Sequence, residues 1–189
     1  MKKILITGGF GILGTSLTNI LYKKNYQIFL LDRSKKKRKL FKTYGSKVKI
    51  IKGDFRNLNQ LKNILKKTKI DSIIHLGAST QIMDSYKSPY DTFQTNIMGT
   101  INILEAVRNI NKKINIIFSS TIKVYGKMIS KSFKETTPLH GDLPDEVSKS
   151  AADLVAQSYV KTYNLKIGIL RSCNIYGPAD FNMDRLIPG

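Results

Sequence analysis

Apolar residues fall along the chain in two rhythms. Short, nearly continuous runs rich in β-branched residues appear at KKILIT (2–7), QIFLLD (27–32), KVKII (47–51), IDSIIHL (70–76), KINIIFSS (113–120) and LKIGILRS (165–172). Strands that are apolar on both faces are covered on both faces, as in a parallel sheet. Between the runs lie segments with apolar residues at three- and four-residue spacing, at about 12–24, 34–44, 57–67, 90–110 and 145–163, which predict helices. Strand–helix alternation with right-handed crossovers predicts a three-layer α/β fold. Its core is a doubly wound parallel sheet in the order 3-2-1-4-5-6. The longest irregular stretch, 126–144, carries Pro138, Gly141 and Pro144. A long loop near strand ends in this architecture is a place for function.

The first run leads directly into TGGFGILGTSL, with Gly8, Gly11 and Gly14 between a strand and a helix. A turn without Cβ atoms lets a pyrophosphate approach the backbone. The amides of Gly11, Ile12, Leu13 and Gly14 then meet it at a helix N-terminus, where amides and dipole both favour anions. The second run ends in Asp32, 18 residues after Gly14. A carboxylate there accepts both ribose hydroxyls of NAD and repels the 2′-phosphate of NADP. Arg33 and the lysines behind it work against that repulsion, so NAD is expected over NADP by a reduced margin. After the third strand, Asp54 is placed to accept from an adenine amino group and Phe55 to cover the ring. After the fourth, Leu76, Gly77 and Ala78 let the backbone pass close to a ligand. In order, these residues trace a cofactor across the carboxyl ends of the strands.

The formal charge of +19 comes from 32 basic against 13 acidic residues. Only six of the basic residues are arginine, and base reading favours the forked arginine side chain over the point charge of lysine. The densest basic stretch, Arg33–Lys52, holds ten Lys or Arg and no acid, and reads as a solvated face rather than a nucleic-acid site. Such a surface still attracts polyanions, nucleotides included. The single cysteine, Cys173, excludes an internal disulfide, and with two distant histidines it leaves no metal-ligand spacing. The apolar run after the basic start stops at glycine, too short for a signal-peptide core, and no run spans a bilayer. The cytoplasm is the expected compartment.

GGFGILG, Asp32, GDF, HLGA, TNIMGTINILEA (95–106), FSSTIKVYG (118–126), VSKSAADLV (147–155) and LRSCNIYGPAD (170–180) resemble the extended short-chain dehydrogenases that act on nucleotide sugars, the NAD-dependent epimerases and dehydratases. Within them the later segments, among them SYKSPYDTFQTNIMGT and CNIYGPADFNMDRLIPG, look most like the CDP-glucose 4,6-dehydratase branch. In such enzymes a sugar hydroxyl loses its proton to a tyrosine while hydride passes to NAD, and the ketone is then epimerised or loses water. The resemblance makes Lys149 the lysine that holds the nicotinamide ribose and Thr121 the residue bonding the reacting oxygen. Asn96 becomes a structural asparagine beside the cofactor. Ser119, Cys173 and Asn174 line the nicotinamide and sugar. It also implies a nucleotide-sugar substrate and a homodimer or partner enzyme, with pairing through the 90–110 and 145–163 helices.

Two departures stand out. The tyrosine position is Asp145, and the Asp–Lys pair that follows the Ser/Thr in the CDP-glucose branch is Ile122–Lys123 here, with only the lysine kept. Tyrosine and aspartate differ by about six pKa units in model compounds, so a carboxylate is a far weaker base than a phenolate. Four residues before Lys149 on a helix, Asp145 is expected to form a surface pair with that lysine, with a catalytic role as the competing reading. Tyr125 is read as structural and His140 as solvated. The chain ends at Gly189, and residues around Ile175, Leu186 and Ile187 are expected to lie uncovered where most of a sugar-binding lobe would be absent. The two functions in view are a nucleotide-sugar epimerase or dehydratase and a non-catalytic module that binds a dinucleotide or nucleotide sugar beside a partner enzyme.

Overall fold

A computed structural model describes residues 1–33, 44–127, 132–177 and 180. The expected helix at 34–44, most of the basic run that follows Arg33, and Leu186 and Ile187 lie outside the described residues. Six parallel strands, β1 (Lys3–Thr7), β2 (Gln27–Asp32), β3 (Val48–Lys52), β4 (Ser72–His75), β5 (Asn115–Thr121) and β6 (Ile167–Ser172), form one sheet ordered β3-β2-β1-β4-β5-β6. This is the expected order, and every strand begins and ends within two residues of its apolar run.

The helices are α1 (Ile12–Lys23), α2 (Leu58–Thr68), α3 (Ile82–Lys87), α4 (Pro89–Phe93), α5 (Gly99–Ile110) and α6 (Pro144–Tyr163). Sheet order and crossover handedness decide which face each covers. From β1 the chain steps one way to β2 and β3, then reverses through β4, β5 and β6, so right-handed connections put α1 on one face and α2, α5 and α6 on the other. The core divides accordingly. Ile4, Ile6, Ile28 and Leu30 pack with Phe10, Leu17 and Leu21 on the α1 side. Leu5, Phe29, Leu31, Ile73 and Ile116 pack with Leu61, Leu65, Ile103, Leu104, Val107, Ala152 and Ala156 on the opposite side. Alternation along β1 (Ile4 and Ile6 one way, Leu5 the other) is the period-two rule at work.

One expected helix is subdivided. The 90–110 segment consists of α4, a wider π-type turn at Gln94–Met98, and α5. The turn buries Thr95 and Asn96. The short α3 was not expected; its six residues are too few to show a helical period. Helix α6 starts on Pro144, where a missing amide costs nothing, and Glu146 accepts from the amides of Asp142 (3.1 Å) and Leu143 (3.5 Å). Arg171 on β6 ties that helix to the sheet: it forks onto the fully buried Asp153 (2.9 Å to each oxygen) and donates to the Tyr125 hydroxyl (2.8 Å). Among the described residues no helix is long and apolar enough to cross a membrane, and no group of three or more His, Cys, Asp or Glu stands together as metal ligands.

Candidate functional site

Between β1 and β4 the direction of winding reverses, and there a cleft of about 880 Å³ opens along the carboxyl ends of the strands. The three glycines of the first loop serve it in different ways. Gly8 has φ +66°, and a Cβ there would stand 2.8 Å from the Gly77 backbone, so this residue lets the β1 and β4 loops touch. A Cβ on Gly14 would meet the Gly8 carbonyl oxygen and Gly9 Cα at 2.6 Å, so this residue lets α1 seat against the turn. Gly11 is exposed, and the nearest atom to a Cβ there is a carbonyl oxygen at an ordinary 3.4 Å. Nothing among the described residues needs Gly11 to lack a side chain; the space it leaves faces the cleft. Gly11 is also the N-cap of α1, with no side chain capping it and no acid in the first turn. The positive end of the helix is left for an anion from outside.

Gly8, Gly11, Ile12, Leu13 and Gly14 line the cleft together with Asp32, Arg33, Phe55, Leu76, Gly77 and Ala78. Two expected contacts change. Asp54 does not line the cleft, although Gly53 and Phe55 on either side do. Its carboxylate is held by Arg56, which donates from Nε and Nη2 (2.9 and 2.8 Å to Oδ2), with Arg33 at 4.0 Å. Burial pushes its pKa up, but the hydrogen bonds and charge of Arg56 outweigh that and hold it below the usual value. Asp54 orders the turn through Arg56 and stands outside the lining of the cleft. Phe55, also expected to cover the ring, is 8% exposed and serves as a floor. Cβ atoms on Gly77 and Gly99 would come within 2.5 and 2.4 Å of its ring, which also meets His75 edge-on at 5.1 Å.

Beneath the β4 loop runs a buried chain of hydrogen bonds that was not anticipated. The Thr7 hydroxyl accepts from the Gly77 amide (3.2 Å), so its proton points to His75 Nδ1 (2.6 Å). Nδ1 is then an acceptor, which puts the ring proton on Nε2, facing Thr100 Oγ1 at 3.3 Å. Thr100 in turn donates to the Asn96 carbonyl (2.6 Å). Burial, then the charge of Lys149, lowers the His75 pKa to about 3, in keeping with this neutral tautomer. The Asn96 side chain closes the network. It accepts from the Ser79 amide (2.8 Å) and donates to the Ser79 carbonyl (2.9 Å) and to Ser148 Oγ (2.8 Å). Asn96 thus clamps the loop after β4 to the first turns of α6. HLGA and VSKSAADLV already contain His75 and Ser148; what sequence spacing does not contain is their partners.

At the far end of the cleft stand Ser119, Thr121, Lys123, Asp145, Lys149, Cys173 and Asn174. The Lys149 ammonium donates to the Ser119 carbonyl (2.8 Å) and lies 5.3 Å from the centre of the Phe118 ring. Burial lowers its pKa to about 8, against the opposing charge of Asp153. The expected Asp145–Lys149 pair is not formed. Asp145 Oδ2 instead sits 3.3 Å from Lys123 Nζ, reaching across to the turn after β5. Asp145 is 7% exposed, so it is no surface pair, and its Oδ1 is buried without a hydrogen-bond donor among the described residues. The Ile122–Lys123 departure and the Asp145 departure are thereby joined: an Asp–Lys pair stands at the site, assembled from residues 22 apart. Tyr125 is buried with its hydroxyl on Arg171, and His140 is exposed beside Asp142 at 3.2 Å, as expected of both.

Residues 5–188 match the family model described as GDP-mannose 4,6 dehydratase. A dTDP-D-glucose 4,6-dehydratase of Dictyostelium discoideum is 34% identical over all of this chain and 47% of its own length. A CDP-paratose 2-epimerase of Salmonella typhi is 31% identical over 95% of this chain and 59% of its own. Among solved structures, the dTDP-glucose 4,6-dehydratase of Bacillus anthracis in complex with NAD superposes with a TM-score of 0.87 at 28% identity, covering all of this chain and 59% of that one. That of Streptomyces venezuelae, with NAD bound, gives 0.89 at 28% identity over 98% and 60%. The chain spans about half of the lengths of the curated relatives it matches, and by its end-to-end match it belongs to the extended short-chain dehydrogenase family of nucleotide-sugar 4,6-dehydratases and epimerases.

Proposed function

We propose that residues 1–189 are the dinucleotide-binding unit of a nucleotide-sugar 4,6-dehydratase or epimerase, that they hold NAD in preference to NADP, and that on their own they oxidise nucleotide sugars negligibly. The observation that carries the first part is Gly11: an open, side-chain-free helix N-terminus facing a cleft that ends at Asp32. The donor set fits the cofactor. Amides of the first turn of α1 would receive the pyrophosphate and Asp32 the adenosine ribose. The backbone around Leu76, Gly77 and Ala78 would border its middle, and Lys149 would hold the nicotinamide ribose with Ser119 and Cys173 alongside. When bound, NAD supplies the hydride acceptor for oxidation of a sugar alcohol. The protein supplies position and proton handling: Thr121 and Asn174 orient the sugar, and Lys149 brings a positive charge beside it.

Proton acceptance is the weak point. The family's base is a phenol one turn before Lys149, and in its place is a carboxylate already bound to Lys123. Losing a well-matched general base typically costs about 10²–10⁴-fold in rate. On this reading the unit works with a second copy or a partner enzyme.

Calorimetric titration with NAD and NADP, followed by NADH absorbance during incubation with CDP-, UDP-, GDP- and dTDP-sugars, tests the proposal. NAD should bind more tightly than NADP, and Asp32→Ala should narrow the gap. Absorbance should stay flat, with little recovered in Asp145→Tyr. Equal NAD and NADP affinities would reject the Asp32 assignment. Robust turnover that Asp145→Asn abolishes would make Asp145 the working base and reject the non-catalytic reading.

A further inference from the structure

Asp145 sits in the first turn of α6 with one carboxylate oxygen engaged and the other not. Oδ2 faces Lys123 at 3.3 Å, whereas Oδ1 is buried without a donor among the described residues, in a side chain only 9% exposed that lines the cleft. A buried charged acceptor without a donor is costly, and a donor that arrives with a ligand removes that cost. The surroundings restrict what the donor is. Lys123 already balances the carboxylate and the Lys149 ammonium lines the same cleft, so a third ammonium would meet two like charges. A neutral O–H meets neither objection.

Thr121 supplies the complement. Its Oγ1 accepts from the Lys123 amide at 3.3 Å, which leaves the hydroxyl proton to be donated to an oxygen brought into the cleft. A ligand hydroxyl placed between these groups accepts from Thr121 and donates to Asp145. A ketone oxygen accepts from Thr121 but has no proton for Asp145, and it sets its own lone pairs against a carboxylate. We propose that Asp145, fixed by Lys123, makes this cleft a reader of sugar alcohols that binds the hydroxyl form of a nucleotide sugar and rejects the ketone formed by its oxidation. The residue that stands where a phenol would take a proton thus stabilises the unreacted alcohol, a specificity role rather than a catalytic one. Lys123 acts through Asp145 as a positioning residue. The inference rests on the nucleotide-sugar reading above.

The test uses the full chain saturated with NAD. CDP-, UDP-, GDP- and dTDP-glucose are titrated by calorimetry, and each one that binds is compared with its 4-keto counterpart, which keeps the C6 hydroxyl, and its 4-deoxy analogue. The alcohol should bind at least tenfold more tightly than the ketone. In Asp145→Asn, whose amide can donate to a ketone oxygen, that ratio should fall to within about threefold. A ketone that binds the unaltered protein within about twofold of the alcohol would overturn the inference, as would a ratio unchanged in Asp145→Asn, while leaving the proposed function standing. Failure of every nucleotide sugar to bind would overturn the proposed function itself and this inference with it.

Discussion

Lowering the pH from 7 to 5 probes the buried chain through His75. The imidazole is 2% exposed, bonded to Thr7 and Thr100 and faced by Phe55 and Phe118, and its pKa falls from 6.5 to about 3. Between those values the unfolded chain binds a proton there and the folded one does not. Stability therefore rises with pH across that window: the contribution is full above 6.5 and is lost as the pH falls, at about 1.4 kcal/mol per pH unit. From pH 7 to 5 the loss due to His75 is about 2 kcal/mol. The carboxylates held low by their partners (Asp54, Glu105 and Asp153) add their own losses mainly below that range, as the unfolded groups protonate. Urea midpoints at half-unit pH steps measure the total. His75→Gln, which keeps a donor and an acceptor but does not titrate, isolates the histidine. The variant should be weaker at pH 7 by about 1–3 kcal/mol yet lose about 2 kcal/mol less than the parent on going to pH 5. Parallel pH dependence in the two proteins would show that His75 carries a proton in the fold, and the tautomer assignment would fail.

Gly11→Val should leave the urea midpoint nearly unchanged, since a Cβ there meets only an atom at 3.4 Å, yet weaken NAD binding at least tenfold by calorimetry; unchanged affinity would remove the pyrophosphate from that turn. Lys149→Met should weaken NAD binding but raise stability at pH 7 by about 1–3 kcal/mol, because a buried ammonium with pKa lowered from 10.5 to about 8 opposes folding below pH 8. The parent should also gain stability between pH 8 and 10.5, a gain absent from the methionine variant, and urea melts at pH 7 and 10 check both. Arg171→Met should cost about 3–5 kcal/mol by leaving Asp153 buried without its cation, and a shift worth under 1 kcal/mol would refute that assignment. Val147 and Leu154, seven residues apart on α6, are exposed with Tyr90 and Met98. Light scattering should find a dimer that Leu154→Lys dissociates, and a monomeric parent at high concentration would count against pairing.

Sheet order and strand limits were legible because β1 and β2 are apolar and buried on both faces; β5 carries a similar run, yet its Ile117 is 42% exposed, so one face of that strand is uncovered among the described residues. Gly8, Gly11, Gly14 and Asp32 were legible because a fixed loop–helix geometry ties them to short spacings. Partnerships across the fold were not. Asp145 is four residues from Lys149 and 22 from Lys123, and local spacing favours the wrong lysine. The structure prefers the distant one because Lys149 turns inward to the Ser119 carbonyl. Asp54 shows the same limit: Arg56, two residues on, binds its carboxylate, a partnership that the strand-end position does not report. Hydrophobic periodicity reports that His75 is buried and leaves its two hydroxyl partners, Thr7 and Thr100, unnamed.

The position of β1 at the middle of the sheet has a consequence for the chain as it emerges during synthesis. Its pairing with β2 is available once residue 32 has appeared, but its other edge waits for Ser72–His75. Until then Ile4, Leu5 and Ile6 expose an open row of amides and carbonyls next to apolar side chains, a template for pairing with another nascent copy. The lysines that flank and follow this half-sheet give every such copy a like charge. Mutual repulsion, screened over about 8 Å at physiological salt, then keeps ribosome-bound neighbours apart during the interval before β4 closes the edge. Chains in which those lysines are exchanged for neutral residues should aggregate during translation while folding to the same sheet once released.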